Sequence, residues 1–388
     1  MPSKIIVVGC GIVGAFIAYE LSRQTSASIV VVDRGGPAEG STGAALGVLM
    51  GVISGRVKGR TWRLREASIR RYPTLINELF QAGYSVPFNN QGIVSLCYDE
   101  AKLPRWETLQ AKRAAQGWPL EIWRPQHLLE RCPQVSLINH TNADEYRHVK
   151  AAIYSPMDGQ VHPAELTKAL VAAAGDRGVI FHFNTEVTQL NMECDRCTSI
   201  QTTAGETTTG LTTTELAADW VILSAGLGSA ALTQLKTSAQ HEPLELMPVL
   251  GQAMKLQLPE NLGGPSFQPV INGNDIQCVP LGKGRYWIGA TVEFPPETAP
   301  LGIAAEAEAN GLANLQKGAA DFIPDMAQAT ILKTWSGLRP RPVGQPAPVI
   351  KPLGNTTNIT LATAHYRNGV LLAPATAQQV CEQLKALS

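Results

Sequence analysis

The chain opens with an unbroken apolar run, Ile5 to Val8, followed by the glycine-rich GCGIVG and then by apolar positions at helical spacing to about Arg23. A second run, SIVVVD, ends at Asp33. Continuous stretches of Ile and Val suit strands covered on both faces. Strand, glycine turn, amphipathic helix and strand therefore predict a parallel unit whose ligand site lies at the strand ends. The pattern returns in GQVHPAELTKALVAAAGDRGVIFHF. There Pro163 suits a first helical turn, Leu166, Ala169, Leu170 and Ala173 share a face, and Gly175 and Gly178 close the helix before a strand over Val179 to Phe183. ADWVILSAGLGSAAL is another strand entering a glycine turn and a helix, which reads as the other half of a nucleotide-binding sheet.

Other stretches follow different rules. Residues 40 to 51, GSTGAALGVLMG, are small and apolar, so main-chain amides there can approach a flat ring system. The Thr-rich TTAGETTTGLTTTEL is too polar for a core and predicts an exposed hairpin or loop. From about Glu242 to Thr330 the runs have antiparallel character and give way to an Ala-rich helical stretch, which suggests a domain covering a substrate. A strand at Thr360 to Thr363, the HYRNG turn and a last helix from Ala375 complete the chain. Three pieces of one domain are thus interleaved with two of another.

Composition adds limits. The 388 residues are 44% hydrophobic and 16% charged, enough for a large core in two or three domains. With 32 basic and 32 acidic residues the net charge is zero, so no global field favours nucleic acid. Residues 5 to 21 lack the flanks of a signal peptide and Glu20 interrupts them, which points to a cytoplasmic protein without a membrane span. Seven scattered cysteines suit a reducing compartment, and the C-x-x-C at Cys194 and Cys197 reads as a hairpin turn rather than a zinc site.

Charge is nonetheless segregated locally. Arg56, Lys58, Arg60, Arg63, Arg65, Arg70 and Arg71 face Glu66 alone in one stretch, which is either a solvated helix face or a dock for an anionic partner. Any membrane contact would be peripheral, through residues 56–71. From Met326 through Cys381 there is no Asp or Glu, while Lys333, Arg339, Arg341, Lys351 and Arg367 all lie there.

The glycine motif carries the first specific chemistry. Gly9, Gly11 and Gly14 supply a tight turn, a close main-chain approach to a pyrophosphate and a helix-to-strand contact, and Asp33, 19 residues beyond Gly14, sits where an acid accepts from ribose hydroxyls. An acid there repels a 2′-phosphate, which disfavours NADP.

VVGCGIVG with Asp33, GSTGAALG, GQVHPAELTKAL, ILSAGLGS, SGLRP and HYRNGVLLAPAT, in this order, resemble the D-amino-acid oxidase type of flavoprotein, and the tail is most similar to the glycine oxidases. The resemblance covers nearly the whole chain. It implies an α/β protein with an FAD-binding Rossmann-like domain (1–83, 150–235 and 334–388) interleaved with an α+β substrate domain on a mixed or antiparallel sheet (84–149 and 236–333). The cofactor set it implies is Gly9, Gly11, Ile12, Val13, Gly14, Asp33, Arg34, Ser41, Thr42, Gly43, Ala44, Ala45, Gly47, Val187, Ala225, Gly226, Arg339, Asn368, Gly369, Val370 and Leu371. Arg339 matches the position that clamps a substrate carboxylate, Arg367 lines the same cavity, and both are the implied catalytic residues; Gln277 completes the substrate set.

The implied activity is oxidation of an amine beside a carboxylate. A hydride passes to flavin N5, the imine hydrolyses to an oxo acid, and dioxygen reoxidises the flavin to give peroxide. No cysteine lies near SGLRP, so noncovalent FAD is expected, with a small-molecule amine or amino acid as partner. Departures keep two alternatives open. Gln277 stands where the family usually has a Tyr, the acid usual after GLRP is missing from RPVGQPAP, and Ala364 replaces a Gly. The alternatives are a dehydrogenase of the same fold feeding a quinone or carrier protein, and an FAD-binding protein with a non-catalytic assembly or binding role. His365 is expected to serve as a structural hydrogen-bonding group, and Cys10 as a small buried thiol.

Overall fold

The computed structural model describes residues 3–142, 145–207, 210–234, 243–295 and 309–386. Two calls fall partly outside these residues: 208 and 209 in the Thr-rich segment, and the first part of the Ala-rich stretch.

The chain begins β1 (Lys4–Val8), α1 (Ile12–Gln24), β2 (Ser28–Val32) and β3 (Val48–Leu49). It continues through α2 (Gly59–Gln81), β4 (Phe88–Asn89), β5 (Ile93–Cys97), α3 (Leu103–Ala115), β6 (Glu121–Trp123), α4 (Pro125–Arg131), β7 (Ile138–Asn142) and β8 (Glu145–His148). The middle holds β9 (Ala151–Ser155), β10 (Gly159–Val161), α5 (Pro163–Gly175), β11 (Ile180–His182), β12 (Val187–Glu193), β13 (Arg196–Thr207), β14 (Gly210–Ala217), β15 (Trp220–Leu223) and α6 (Gly228–Gln234). Next come β16 (Leu246–Gln257), β17 (Val270–Gly273), β18 (Ile276–Gly282), β19 (Arg285–Gly289), α7 (Ala309–Ala320), β20 (Thr330–Pro342), β21 (Val349–Pro352), β22 (Ile359–Thr363) and α8 (Gly369–Ala386).

A six-stranded sheet in the order β11-β2-β1-β15-β22-β21 is parallel except at its β21 edge. The Ile/Val runs divide by parity, as side chains alternating across a strand must. Ile5 and Val7 join the core with Phe16 and Ile17 of α1, Leu166 and Leu170 of α5 and Leu372 of α8. Ile6 and Val8 face Val187, Leu190 and Ile200 of the three-stranded sheet β12-β13-β14. The Thr-rich segment is therefore one side of a covering sheet, and Cys194 lies in its hairpin turn at φ 55°.

The second sheet has eight strands in the order β20-β16-β19-β18-β17-β5-β9-β6, antiparallel apart from the β17–β5 pair. Met254, Leu256, Cys278 and Ile288 point to one side, against Leu315 and Ala319 of α7. Ala253 and Val279 point to the other and join the first core. The site lies on this second side.

Three sequence expectations need correction. The last helix starts at Gly369, six residues before Ala375, because Pro374 is tolerated inside it. The strand expected over Val179 to Phe183 shortens to Ile180–His182. The partition at 150 and 334 also does not follow sheet membership. β9 pairs with β5 and β6 in the large sheet, and β20 pairs with β16 along its whole length, so both belong with the eight strands.

Candidate active site

The glycine turn after β1 is dictated by packing. Gly9 has φ 103°, and a Cβ on Gly14 would lie 1.9 Å from the Gly9 carbonyl oxygen. This contact brings α1 directly onto the turn. No acidic residue occupies the first turn of α1, and its Gly11 N-cap offers no side chain. The Ile12 amide donates to Thr42 Oγ1 at 3.0 Å, while Val13 opens the helix beside it. Asp33 at the tip of β2 accepts from the amides of Cys10 and Gly35. An anion-favouring helix end beside a carboxylate at the neighbouring strand tip is a donor and acceptor set that fits an adenine dinucleotide. Arg34 is exposed next to it, and Val187, at the head of β12, is buried against Val32. Ala225 and Gly226 follow β15 under the same turn, Gly226 at φ 59°.

The small-residue segment links this cradle to the large sheet. Ser41 Oγ donates to the Leu338 carbonyl at 2.6 Å, and Trp335 Nε1 donates to the Ala44 carbonyl at 3.1 Å. A Cβ on Gly337 would come 2.3 Å from the Ala44 Cβ. Gly43 and Ala45 donate back to Gly40 and Thr42, and Gly47, at φ 72°, passes so near Val161 that no side chain is accommodated. At the far end Asn368 precedes Gly369, the first residue of α8. Leu371 is buried, and the Val370 carbonyl accepts from the Tyr72 hydroxyl.

Arg339 leaves β20 opposite Val249. Its guanidinium lies over Gly251, with Nη1 donating to Leu250 and Nη2 to Thr291 main-chain oxygens, each at 3.0 Å. Burial and, next, the neighbouring Arg367 hold its pKa below the ordinary guanidinium value. Arg367 is exposed in the turn between β22 and α8. The charge of the exposed Arg367 thus reaches the half-buried Arg339.

Gln277 is the other expected substrate residue. Its Nε2 donates to Met50 Sδ at 3.5 Å, while its Oε1 is buried without a partner. The adjoining turn, residues 51 to 56, joins the small-residue stretch to the basic run. Asp158 accepts from the amides of Gly51, Val52 and Ile53, each at 2.8 Å, and the buried Arg113 donates to the carbonyls of Val52, Ser54 and Arg56. Burial raises the Asp158 pKa against these three bonds. Arg65 was seen only as part of a basic run. It donates to the Met50 carbonyl and to Asn368 Oδ1, and its buried Nε has no partner.

That basic run is partly engaged within the fold. Arg60 donates to the Pro348 carbonyl, Arg71 pairs with Glu20 and Glu78, and Arg70 pairs with Glu66. Arg56, Lys58, Arg63 and Arg70 are the exposed members, Arg70 in its pair with Glu66. No described helix is long and apolar enough to cross a membrane, and among the described residues no group of three or more His, Cys, Asp or Glu could hold a metal ion. His365 is buried with Nε2 2.8 Å from Thr376 Oγ1. The Thr376 hydroxyl donates to the Leu372 carbonyl, so the imidazole must be the donor to Thr376. Cys10 is buried, and burial followed by the Asp33 charge pushes its thiol pKa up.

Comparison with known proteins gives a consistent result. The family of FAD dependent oxidoreductases matches residues 4–383. A glycine oxidase of Pseudomonas putida is 27% identical over 383 residues, covering 97% of this chain and 93% of that protein. The crystal structure of glycine oxidase from Geobacillus kaustophilus superposes with a TM-score of 0.82 at 24% identity, covering 99% of this chain and 95% of the other. An L-proline dehydrogenase from P. horikoshii shares the fold with a TM-score of 0.81 at 19% identity, covering 99% and 93%.

Proposed function

The chain belongs to the FAD dependent oxidoreductase family, and on that footing we propose that it oxidises an amine whose neighbouring carbon bears a carboxylate. The product imine then hydrolyses to an oxo acid. One observation carries this reading. The Arg339 guanidinium is oriented by two main-chain oxygens, has no carboxylate partner among the described residues, and lies beside Arg367. The remaining N–H donors of its fork suit a carboxylate.

FAD, when bound, supplies the acceptor for the hydride leaving the substrate carbon and passes the electrons to dioxygen. Arg339 and Arg367 bind the carboxylate and so fix the direction of the Cα–H bond. Their positive charge also favours the neutral amine over the ammonium, and only the neutral form has the lone pair that expels a hydride. His365 takes no part in proton transfer: burial, aided by the Arg60 charge, lowers its pKa to about 3, and its ring is committed to Thr376. The Gly9–Gly14 turn, Asp33, residues 41 to 47 and the start of α8 would hold the cofactor noncovalently. A dehydrogenase using a quinone or carrier protein would lean on the basic run, whose members Arg60, Arg65 and Arg71 are engaged within the fold.

The test is anaerobic bleaching of the bound flavin by glycine, sarcosine, proline and D- and L-amino acids, followed by peroxide assay in air. Arg339→Leu should weaken carboxylate-bearing amines by roughly 10- to 100-fold while the protein stays yellow. A wild-type flavin that no amine bleaches would overturn the reading. Denaturation that leaves flavin attached to the polypeptide would overturn noncovalent binding.

A further inference from the structure

Arg341 follows Arg339 by two residues in β20, so both side chains leave the same face of the strand, about 7 Å apart along it. Met247, opposite Arg341, and Val249, opposite Arg339, share that face. The neighbouring edge carries Phe294, whose ring centroid lies 5.6 Å from the Arg341 Cζ. The Tyr366 ring centroid lies 5.8 Å from the same atom. Tyr366 adjoins Arg367 and also acts electrostatically on Arg339. Arg341 therefore contacts both rings and stands as a third cation on the face that carries Arg339.

No ion pair to any of these three arginines is found among the described residues, whose bridges involve other cations. Residues 326 to 381 contain no acid to offer one. The nearest acid acting on Arg339 is Glu293. It pairs in register with Leu250, and its carboxylate takes a hydrogen bond from Gln252 at 2.9 Å. A single carboxylate shared by Arg339 and Arg367 leaves the half-buried Arg341 with no carboxylate partner among the described residues. Guanidinium stacking on aromatic rings orients the cation but does not neutralise it.

We propose that the substrate is a dicarboxylate amine, an amino acid or N-substituted glycine whose second carboxylate is taken by Arg341. This rests on the amine-oxidation reading above and narrows it. Phe294, 57% exposed, and Val292, 39% exposed, offer the competing outcome of an apolar substituent.

Matched pairs that exchange a carboxylate for a methyl group separate the two. Glutamate against norvaline in both enantiomers, and iminodiacetate against N-ethylglycine, are compared by KM in the wild type and in Arg341→Met, which keeps an apolar stem. The dicarboxylate of at least one pair should have a KM lower by about tenfold or more, and the ratio should collapse in the variant and in high salt. Equal values, preference for the methyl partner, or a ratio that survives in Arg341→Met overturns the proposal. A binding measurement keeps it distinct from the activity reading, namely titration of the flavin spectrum with succinate and with butyrate. If no amine bleaches the flavin but succinate binds more tightly in an Arg341-dependent way, the dianion site stands and amine oxidation falls. If amines bleach it without this preference, only the dianion site falls.

Discussion

The Arg339 guanidinium occupies the space that a side chain on Gly251 would need: a Cβ there would lie 2.0 Å from Nη2. Gly251→Ala should therefore push the arginine off its two carbonyl anchors without touching the cofactor cradle. We expect KM for the substrate to rise by about 10- to 100-fold, with flavin content unchanged. Steady-state kinetics beside the flavin-to-protein absorbance ratio checks this. Unchanged KM would mean the guanidinium is not the anchor.

Gly14→Ala acts at the other end. Its Cβ would meet the Gly9 carbonyl, a main-chain group that cannot swing aside. The helix must then move off the turn and carry the Ile12 and Val13 amides with it. Purified protein should be colourless or lose flavin on dialysis, with helix content by circular dichroism close to wild type.

His365 gives a signed pH dependence. Its folded pKa is about 3, against an ordinary 6.5, because burial and then the Arg60 charge oppose protonation. The unfolded chain thus takes up the proton first as pH falls. The stabilisation is complete above about pH 6.5 and is lost as pH falls toward 3, with a slope of about 1.4 kcal/mol per pH unit from this group. His365→Gln can still donate to Thr376 and should flatten the decline in thermal midpoint between pH 6.5 and 4.

Gln277 distinguishes a structural amide from one kept for a ligand. Its Oε1 is buried and unpartnered, so Gln277→Met removes an unsatisfied group at nearly constant volume. Stability of the free protein should hold or rise by about 1 kcal/mol while substrate binding weakens about tenfold. A variant that is less stable but binds normally would assign Gln277 to packing.

Sequence legibility tracked how local the physics was. The first sheet was readable because Ile5–Val8 and Ile29–Val32 are unbroken apolar runs joined by a turn whose glycines have steric reasons. The acid-free tail drew notice to five cations, and the resemblance of SGLRP and HYRNG to the family's motifs singled out Arg339 and Arg367. Sheet membership was harder: β9 is as apolar as a Rossmann strand, and only its partners β5 and β6, distant in sequence, place it elsewhere. Arg65 was legible only as one of a basic run, and Arg113 carried no signal at all. Their burial depends on main-chain carbonyls of a turn with no pattern of its own, and Arg113 stacks 3.5 Å over Trp62, a contact no spacing reveals.

The turn gripped between Asp158 and Arg113 has partners for its main chain on both sides, as a strand in a sheet does, without being one. Its donors at Gly51, Val52 and Ile53 end on a buried carboxylate, and its acceptors at Val52 and Ser54 on a buried guanidinium. Exchange of those amides with deuterium should be as slow as that of β1, although they lie between elements. Such stiffness anchors the stretch beside Met50, whose sulfur accepts from Gln277, so whatever motion admits an amine must arise elsewhere.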